Sequence, residues 1–436
     1  MLKKIVWKNI SKTEQVKILK RPIQANDIAL RAKVQNIIEA VRTSGDETLK
    51  NLTQQYDGVA INCLQVEADE FASARNQVSN LGYKAMLKVI EQLNAFHSKR
   101  TPGDIRVETS PGIVCETQIR PIERVGLYIP GGSAPLVSTV LMLGVPAQIA
   151  NCPVRVLCSP PTKEGGVNPY ILVAAELCGI SKVYKVGGAQ AIAAMAYGTE
   201  SIPKVDKIFG PGNSFVTLAK MLVAQDVMGA VCDLPAGPSE VMVIADHGAN
   251  PEFIAADLLS QAEHGNDSQV MLICTDAEIA DKTRQAVMRQ INNLSRRSIA
   301  MATLNNSYLI SVDTVREAIV IANEYAPEHL IIQVAKARSY LAEIKCAGSV
   351  FLGNWSPESA GDYVSGTNHV LPTYGFAKSL SGLSVGDFMK LITVQELTKE
   401  GLNSVAWVIK ELTEVEGLDA HYNAVDVRLR GENNYV

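Results

Sequence analysis

Glu328 and His329 are adjacent in Tyr325-Ala326-Pro327-Glu328-His329. Pro327 must end the helical pattern before it, and Leu330-Ile331-Ile332 opens a buried strand, so the pair sits on a rigid junction. A carboxyl group and an imidazole side by side supply two proton-transfer groups of different pKa, which suits a reaction in two steps. The alternative is a surface junction with two solvated polar residues, and composition does not choose between them.

A second pair lies on the helical pattern 251–264. Ile254, Leu258 and Gln261 fall at i, i+4 and i+7, His264 follows on the same stripe, and Gly265 stops the helix. A polar pair at the inward end of a helix is a candidate ligand pair, because metals need two or more such side chains brought together. A hydrogen-bonded Gln-His pair at a frayed helix end is the other reading, and for a lone His it would prevail. The segment 356–369 carries Asp362 and His369, is too polar for a core, and has the Gly, Ser and Asn residues of an ordered binding loop. Glu416 and His421 lie in a helical tail, where acids and histidines are more often solvated than ligating.

Three Gly-rich turns follow strand-like runs: Pro130-Gly131-Gly132-Ser133, Gly187-Gly188-Ala189-Gln190 and Gly210-Pro211-Gly212-Asn213. Each opens a helix, so backbone N–H groups could face a phosphate. None is a G-x-G-x-x-G fingerprint; in the third, Phe215 stands where the last Gly belongs. Taken singly, each is explained as a tight βα turn that requires positive φ.

The elements that position these residues alternate. Strands are expected at 125–129, 154–158, 182–186, 205–209 and 230–234, then at 241–245, 269–274 and 330–334, with helices between them. That rhythm implies βαβ units and parallel sheets, hence an α/β fold. Residues 235–238 read as a crossing between two lobes. Residues 26–98 read as helices, and 101–120 as short strands and turns. The tail from about 382 is mostly helical, with helices at 404–416 and 419–428 separated by Gly417.

Composition narrows the classes. The chain has 436 residues, 47% apolar and 20% charged, with a net charge of −4. It is too apolar for disorder and long enough for two or three domains. No basic stripe recommends a nucleic acid. The longest apolar stretch, 138–150, is interrupted by Gly144, Pro146 and Gln148 and falls short of the ~20 residues of a membrane helix. The eight cysteines are scattered without a C-x-x-C pair, which suits a reducing cytosol, and Cys115 and Cys152 read as packing residues. The opening MLKKIVWKNISKTEQ lacks the apolar core of a secretory signal, so a cytoplasmic location is expected.

Taken in order, eight segments resemble the histidinol dehydrogenase family: RPIERVGLYIPGG (120–132), GGAQAIAAMAYGT (187–199), KIFGPGN (207–213), DLPAGPSE (233–240), LLSQAEHG (258–265), YAPEHL (325–330), ESAGDYVSGTNHVLPT (358–373) and EGLDAH (416–421). The resemblance implies two Rossmann-like parallel-sheet lobes without the usual dinucleotide fingerprint, plus a small, mostly helical domain from the chain ends. It implies a first lobe of 22–127 with 241–381, an NAD-binding second lobe of 128–240, and dimer-forming extensions of 1–21 and 382–436. It further implies one Zn2+ per subunit on Gln261, His264, Asp362 and His421, and a catalytic Glu328–His329 pair. Substrate contacts would come from Ser239, His329, His369 and Glu416 together with the metal-ligand residues, and NAD+ contacts from Tyr128, Gln190 and Asn213. The implied reaction takes L-histidinol through L-histidinaldehyde to L-histidine with two NAD+. His329 is the base in both oxidations, Glu328 activates water for the aldehyde, and zinc holds substrate rather than polarising the alcohol. The implied assembly is a homodimer whose sites draw on both chains. A zinc- and NAD-dependent dehydrogenase of another small polyol, such as a sulfonated diol, is the neighbouring reading, although Glu416 and His369 favour the cationic histidinol. A zinc hydrolase would leave the Gly-rich lobe without a purpose.

Overall fold

The computed structural model describes residues 2–21, 28–131, 135–234 and 237–430. Gly132 and Ser133 of the first Gly-rich turn, and Pro235 and Ala236 of the expected crossing, lie outside the described residues. The chain forms two units, Met1–Arg100 with Ile122–Phe388, and Thr101–Pro121 with Met389–Val436.

The larger unit holds two parallel sheets. One has six strands in the order Lys3–Val6, Tyr308–Ser311, Gln269–Cys274, Glu240–Ala245, His329–Gln333 and Ser349–Leu352. The central strand Glu240–Ala245 is buried along its whole length. Val241, Val243 and Ala245 face the helices Pro251–Ala262 and Ala277–Gln290, while Met242 and Ile244 face the helix Val315–Tyr325. A strand covered on both faces needs apolar residues at every position, which is why this run and Gln269–Cys274 read as near-continuous hydrophobic stretches.

The other sheet has five strands in the order Lys182–Lys185, Val154–Ser159, Arg124–Tyr128, Lys207–Phe209 and Val231–Cys232. The helices Ile28–Asp57, Gly188–Tyr197 and Ser214–Gln225 share one core with it. The helix Val137–Ile149 packs between Asn80–His97 and Pro169–Leu177.

Three expected boundaries shift. Arg124–Tyr128 is the central strand of the five-stranded sheet, so a lobe border at 127 would cut a paired strand. The helical residues 28–97 pack against the five-stranded sheet and its flanking helices rather than on the six-stranded sheet. Lys3–Val6 is not a helical extension but the edge strand of the six-stranded sheet, paired in parallel with Tyr308–Ser311. Four residues are too few to display a period, so its pairing had no local signature.

The smaller unit keeps the expected helices, Lys399–Glu416 and Asp419–Arg430, separated by Gly417 in the left-handed region. It adds an antiparallel sheet in which Met389–Leu397 pairs with Ile113–Pro121 and that strand with Ile105–Ser110. The strand Met389–Leu397 lies in the stretch read as helical tail.

Candidate active site

A cavity of about 410 Å3 opens between the two sheets of the larger unit. Its walls come from opposite strand ends. Gly212, Asn213 and Ser214 follow the carboxyl end of Lys207–Phe209, while Ser239, Ser268, Glu328 and His329 stand at the amino ends of strands of the six-stranded sheet. The five-stranded lobe thus obeys the usual placement of ligands in open parallel sheets, and the six-stranded lobe inverts it.

The Glu328–His329 junction is built as the sequence dictates. The helix Val315–Tyr325 ends at Ala326, which adopts φ 55°, and Pro327 turns the chain into the strand. A left-handed Ala is strained and persists only where its surroundings hold it. Glu328 and His329 are both buried at the cavity wall. His329 Nδ1 lies 3.0 Å from Glu240 O and 3.5 Å from Glu328 Oε2. A carbonyl can only accept, so Nδ1 carries a hydrogen and Nε2 is the nitrogen left for other partners. Nε2 stands 3.3 Å from Asp362 Oδ1. Burial opposes the charged ring, but the Glu328 and Asp362 carboxylates outweigh it and push the His329 pKa up to about 10. Burial likewise pushes Glu328 up to about 8, against the pull of His329.

The helix Pro251–Ala262 is capped by Asn250, has Pro251 in its first turn, and ends before His264. The expected helix end at 264 is therefore too long; His264 lies in the following turn, its N–H donating to Gln261 O at 3.2 Å. Gln261 and His264 both line the cavity, with Asp362 on the short helix Glu358–Tyr363. Burial holds His264 below the ordinary imidazole range, so it stays neutral, the form that ligates.

Glu358 is the residue sequence reasoning missed. It accepts from Ser260 Oγ at 2.6 Å and from Gln261 Nε2 at 2.5 Å. Burial pushes Glu358 up to about 8, whereas Asp362 is held well below the usual carboxylate range because His329 outweighs its burial. His329, Glu358 and Asp362 bring ligand atoms within 4.8 Å of one another. Gln261 Oε1, by contrast, is buried and has no hydrogen-bond partner. An orphaned buried acceptor costs about 1–3 kcal/mol, and a cation beside it removes that cost. One neutral imidazole, one ionised carboxylate and one orphaned amide oxygen on the same wall therefore fit a divalent ion. No pattern in the segment around Glu358 distinguished it from its neighbours.

The other expected residues divide. Ser239, Asn213 and His369 line the cavity. His369 Nδ1 donates to Asp362 O at 2.9 Å, and its Nε2 lies 3.2 Å from Thr139 Oγ1. Asn213 caps the helix Ser214–Gln225, and Lys220 Nζ holds the Gly210 carbonyl at 2.8 Å, fixing the turn. Gly210 is required there, because a Cβ would run into Tyr128 O. Gly212 and Asn213 expose backbone and amide groups at a helix N-terminus, which fits an anionic cofactor without a glycine fingerprint. Tyr128 and Gln190 are buried and do not line the cavity; Tyr128 Oη accepts from Gly188 N at 3.0 Å, beneath the turn. Glu416 and His421 are exposed residues of the smaller unit.

The sequence profile of the histidinol dehydrogenase family matches residues 19–429. The chain belongs to this family. It is 51% identical over 428 residues to the histidinol dehydrogenase of Vibrio parahaemolyticus, covering 98% of both chains. It is 52% identical over 425 residues to that of Colwellia psychrerythraea, again with 98% of each covered. The crystal structure of histidinol dehydrogenase from Elizabethkingia anophelis superimposes with a TM-score of 0.94 at 47% identity over 98% of each chain. As a histidinol dehydrogenase the chain is an oxidoreductase of histidine biosynthesis, dependent on Zn2+ and NAD+. Among the described residues, no helix is long and apolar enough to cross a membrane.

Proposed function

We propose that Glu328 and His329 carry the chemistry of a four-electron oxidation of L-histidinol to L-histidine in this cavity. The observation that carries the reading is the meeting of that pair with Gln261, His264 and Asp362 on one wall, facing the turn at Gly212 and Asn213 on the other.

In the alcohol step His329 Nε2 takes the hydroxyl proton while Glu240 O keeps Nδ1–H in place. In the aldehyde step Glu328 takes a proton from the water that adds to the carbonyl carbon and returns it to the carbonyl oxygen; His329, having released its first proton to solvent, then takes the hydroxyl proton of the hydrate as the second hydride leaves. Bound NAD+ supplies the hydride acceptor for each oxidation, with Asn213 and the turns over Tyr128 and Gln190 as its contacts. Gln261, His264, Asp362 and His421 would hold zinc, which would supply a site for the neutral nitrogens of the substrate. His329 faces that site through Nε2, 3.3 Å from Asp362 Oδ1. Ser239 and His369 contact the substrate, and Glu416 offsets its charge.

His421 and Glu416 enter the scheme through a homodimer in which each site takes them from the partner. The apolar surface of the smaller unit supports this, with Leu391, Trp407, Leu412 and Val415 exposed and Val415 at 86%. The five-stranded lobe serves NAD+, and the whole works in the cytosol. The test is NADH formation from L-histidinol with and without a chelator. About two NADH per histidinol, lost on chelation and restored by zinc, is the expected result for an oxidation in two hydride steps.

A further inference from the structure

Glu240 holds both members of the catalytic pair with its backbone. Its N–H donates to Glu328 Oε2 at 2.8 Å, and its carbonyl accepts from His329 Nδ1 at 3.0 Å. Its own side chain is buried and meets the Arg21 guanidinium side-on, with Nη2 at 2.8 Å from Oε2 and Nε on Oε1. Such bidentate pairs fix orientation as well as distance.

Arg21 reaches further. Its Nη2 also donates to Tyr325 O at 3.0 Å and Ala326 O at 3.2 Å, and its guanidinium stacks 3.7 Å over the Tyr325 ring. Ala326 is the strained left-handed residue that aims Pro327-Glu328-His329 at the cavity. Tyr374, left-handed at φ 54°, lines the cavity and donates its N–H to Glu240 Oε1 at 3.0 Å. Two strained non-glycine residues beside the site thus hang on one buried ion pair.

We propose that Arg21 and Glu240 are positioning residues for the oxidation, setting the geometry of Glu328 and His329 through the Ala326 turn and the Glu240 backbone. A lysine at 21 would keep the charge but not the planar fork, so the charge alone would not suffice. The inference rests on the assignment of His329 as the base of the alcohol step.

The test compares Arg21→Met, Arg21→Lys, Glu240→Gln and His329→Ala, with each double variant in the His329→Ala background. Rates are normalised to folded, zinc-loaded protein. Arg21→Met and Arg21→Lys should each lower kcat of the alcohol step on the order of 10²-fold, the effect of about 1 Å of misplacement. KM for histidinol and NAD+ should change much less than kcat, because Gln261, His264, Asp362 and Asn213 stand on other elements. In the His329→Ala background the same substitutions should cost less than about twofold, since groups acting as one unit are not additive. Full multiplication of the two losses, or a normal kcat in both Arg21 variants, would overturn the proposal. An undiminished alcohol step in His329→Ala alone would instead remove the reading beneath it. If Arg21→Met does not fold, Arg21→Lys and Glu240→Gln carry the comparison.

Discussion

Gln261 Nε2 donates to Glu358 Oε1 at 2.5 Å, and that bond decides which end of the Gln261 amide is left over. The remaining oxygen, Oε1, is buried without a partner. Glu358 therefore orients a buried, unpartnered acceptor on the cavity wall, although no motif in the chain marked it. A supporting residue of this kind typically changes metal affinity 10–100-fold. Glu358→Ala should weaken zinc binding by about that factor while the protein stays folded. Chelator competition followed by circular dichroism checks it; unchanged affinity would mean that the amide orientation does not matter.

His329→Ala should lower both oxidations by ~10²–10⁴, the usual loss for a general base. Glu328→Gln should damage the aldehyde step more than the alcohol step. Supplying histidinaldehyde separates the two in a stopped-flow trace of NADH. Equal losses in Glu328→Gln would contradict the division of labour.

Glu328 acts as a base only when ionised, and burial pushes its pKa up to about 8. A raised carboxyl pKa moves the active form to higher pH. The aldehyde step should accordingly rise through about pH 8, and this limb should vanish in Glu328→Gln. His264 shifts the other way, held below the ordinary imidazole range by burial, so acid loss of zinc should begin below that range. Rates and bound zinc measured across pH test the two limbs independently.

His97 is fully buried, neither ring nitrogen has a hydrogen-bond partner, and burial lowers its pKa from 6.5 to about 4. The folded protein refuses a proton that the unfolded chain accepts, so stability falls as pH drops from 6.5 towards 4. The change is roughly 3 kcal/mol at most. His97→Leu removes the group, and its stability relative to the parent should rise by up to that amount between pH 7 and pH 4. Urea titrations at the two pH values would show it.

If each site takes His421 from a partner chain, two inactive variants should rescue each other. In a hybrid dimer of His329→Ala with His421→Ala, one site receives both defects and the other none. Unfolding and refolding an equal mixture should restore about a quarter of parental activity, because half the dimers are hybrids. No recovery, or an active monomer by light scattering, would remove the shared-site assembly.

The alternation of strands and helices was legible because the buried strands in these lobes are mostly apolar runs, as in Glu240–Ala245 after its first residue. Pro327 made the Glu328–His329 junction readable, and helical spacing put Gln261 and His264 on one stripe. Local backbone geometry fixes such patterns, so they survive in one dimension. Lys3–Val6 and Met389–Leu397 escaped notice because their partners lie far along the chain. The meeting of Asp362 with His329 and the grip of Arg21 on Glu240, 219 residues away, were likewise decided by tertiary structure alone. So was the site between the carboxyl ends of one sheet and the amino ends of another. Contacts between distant segments depend on how the two sheets and their helices pack, and packing leaves no period in the residues it brings together.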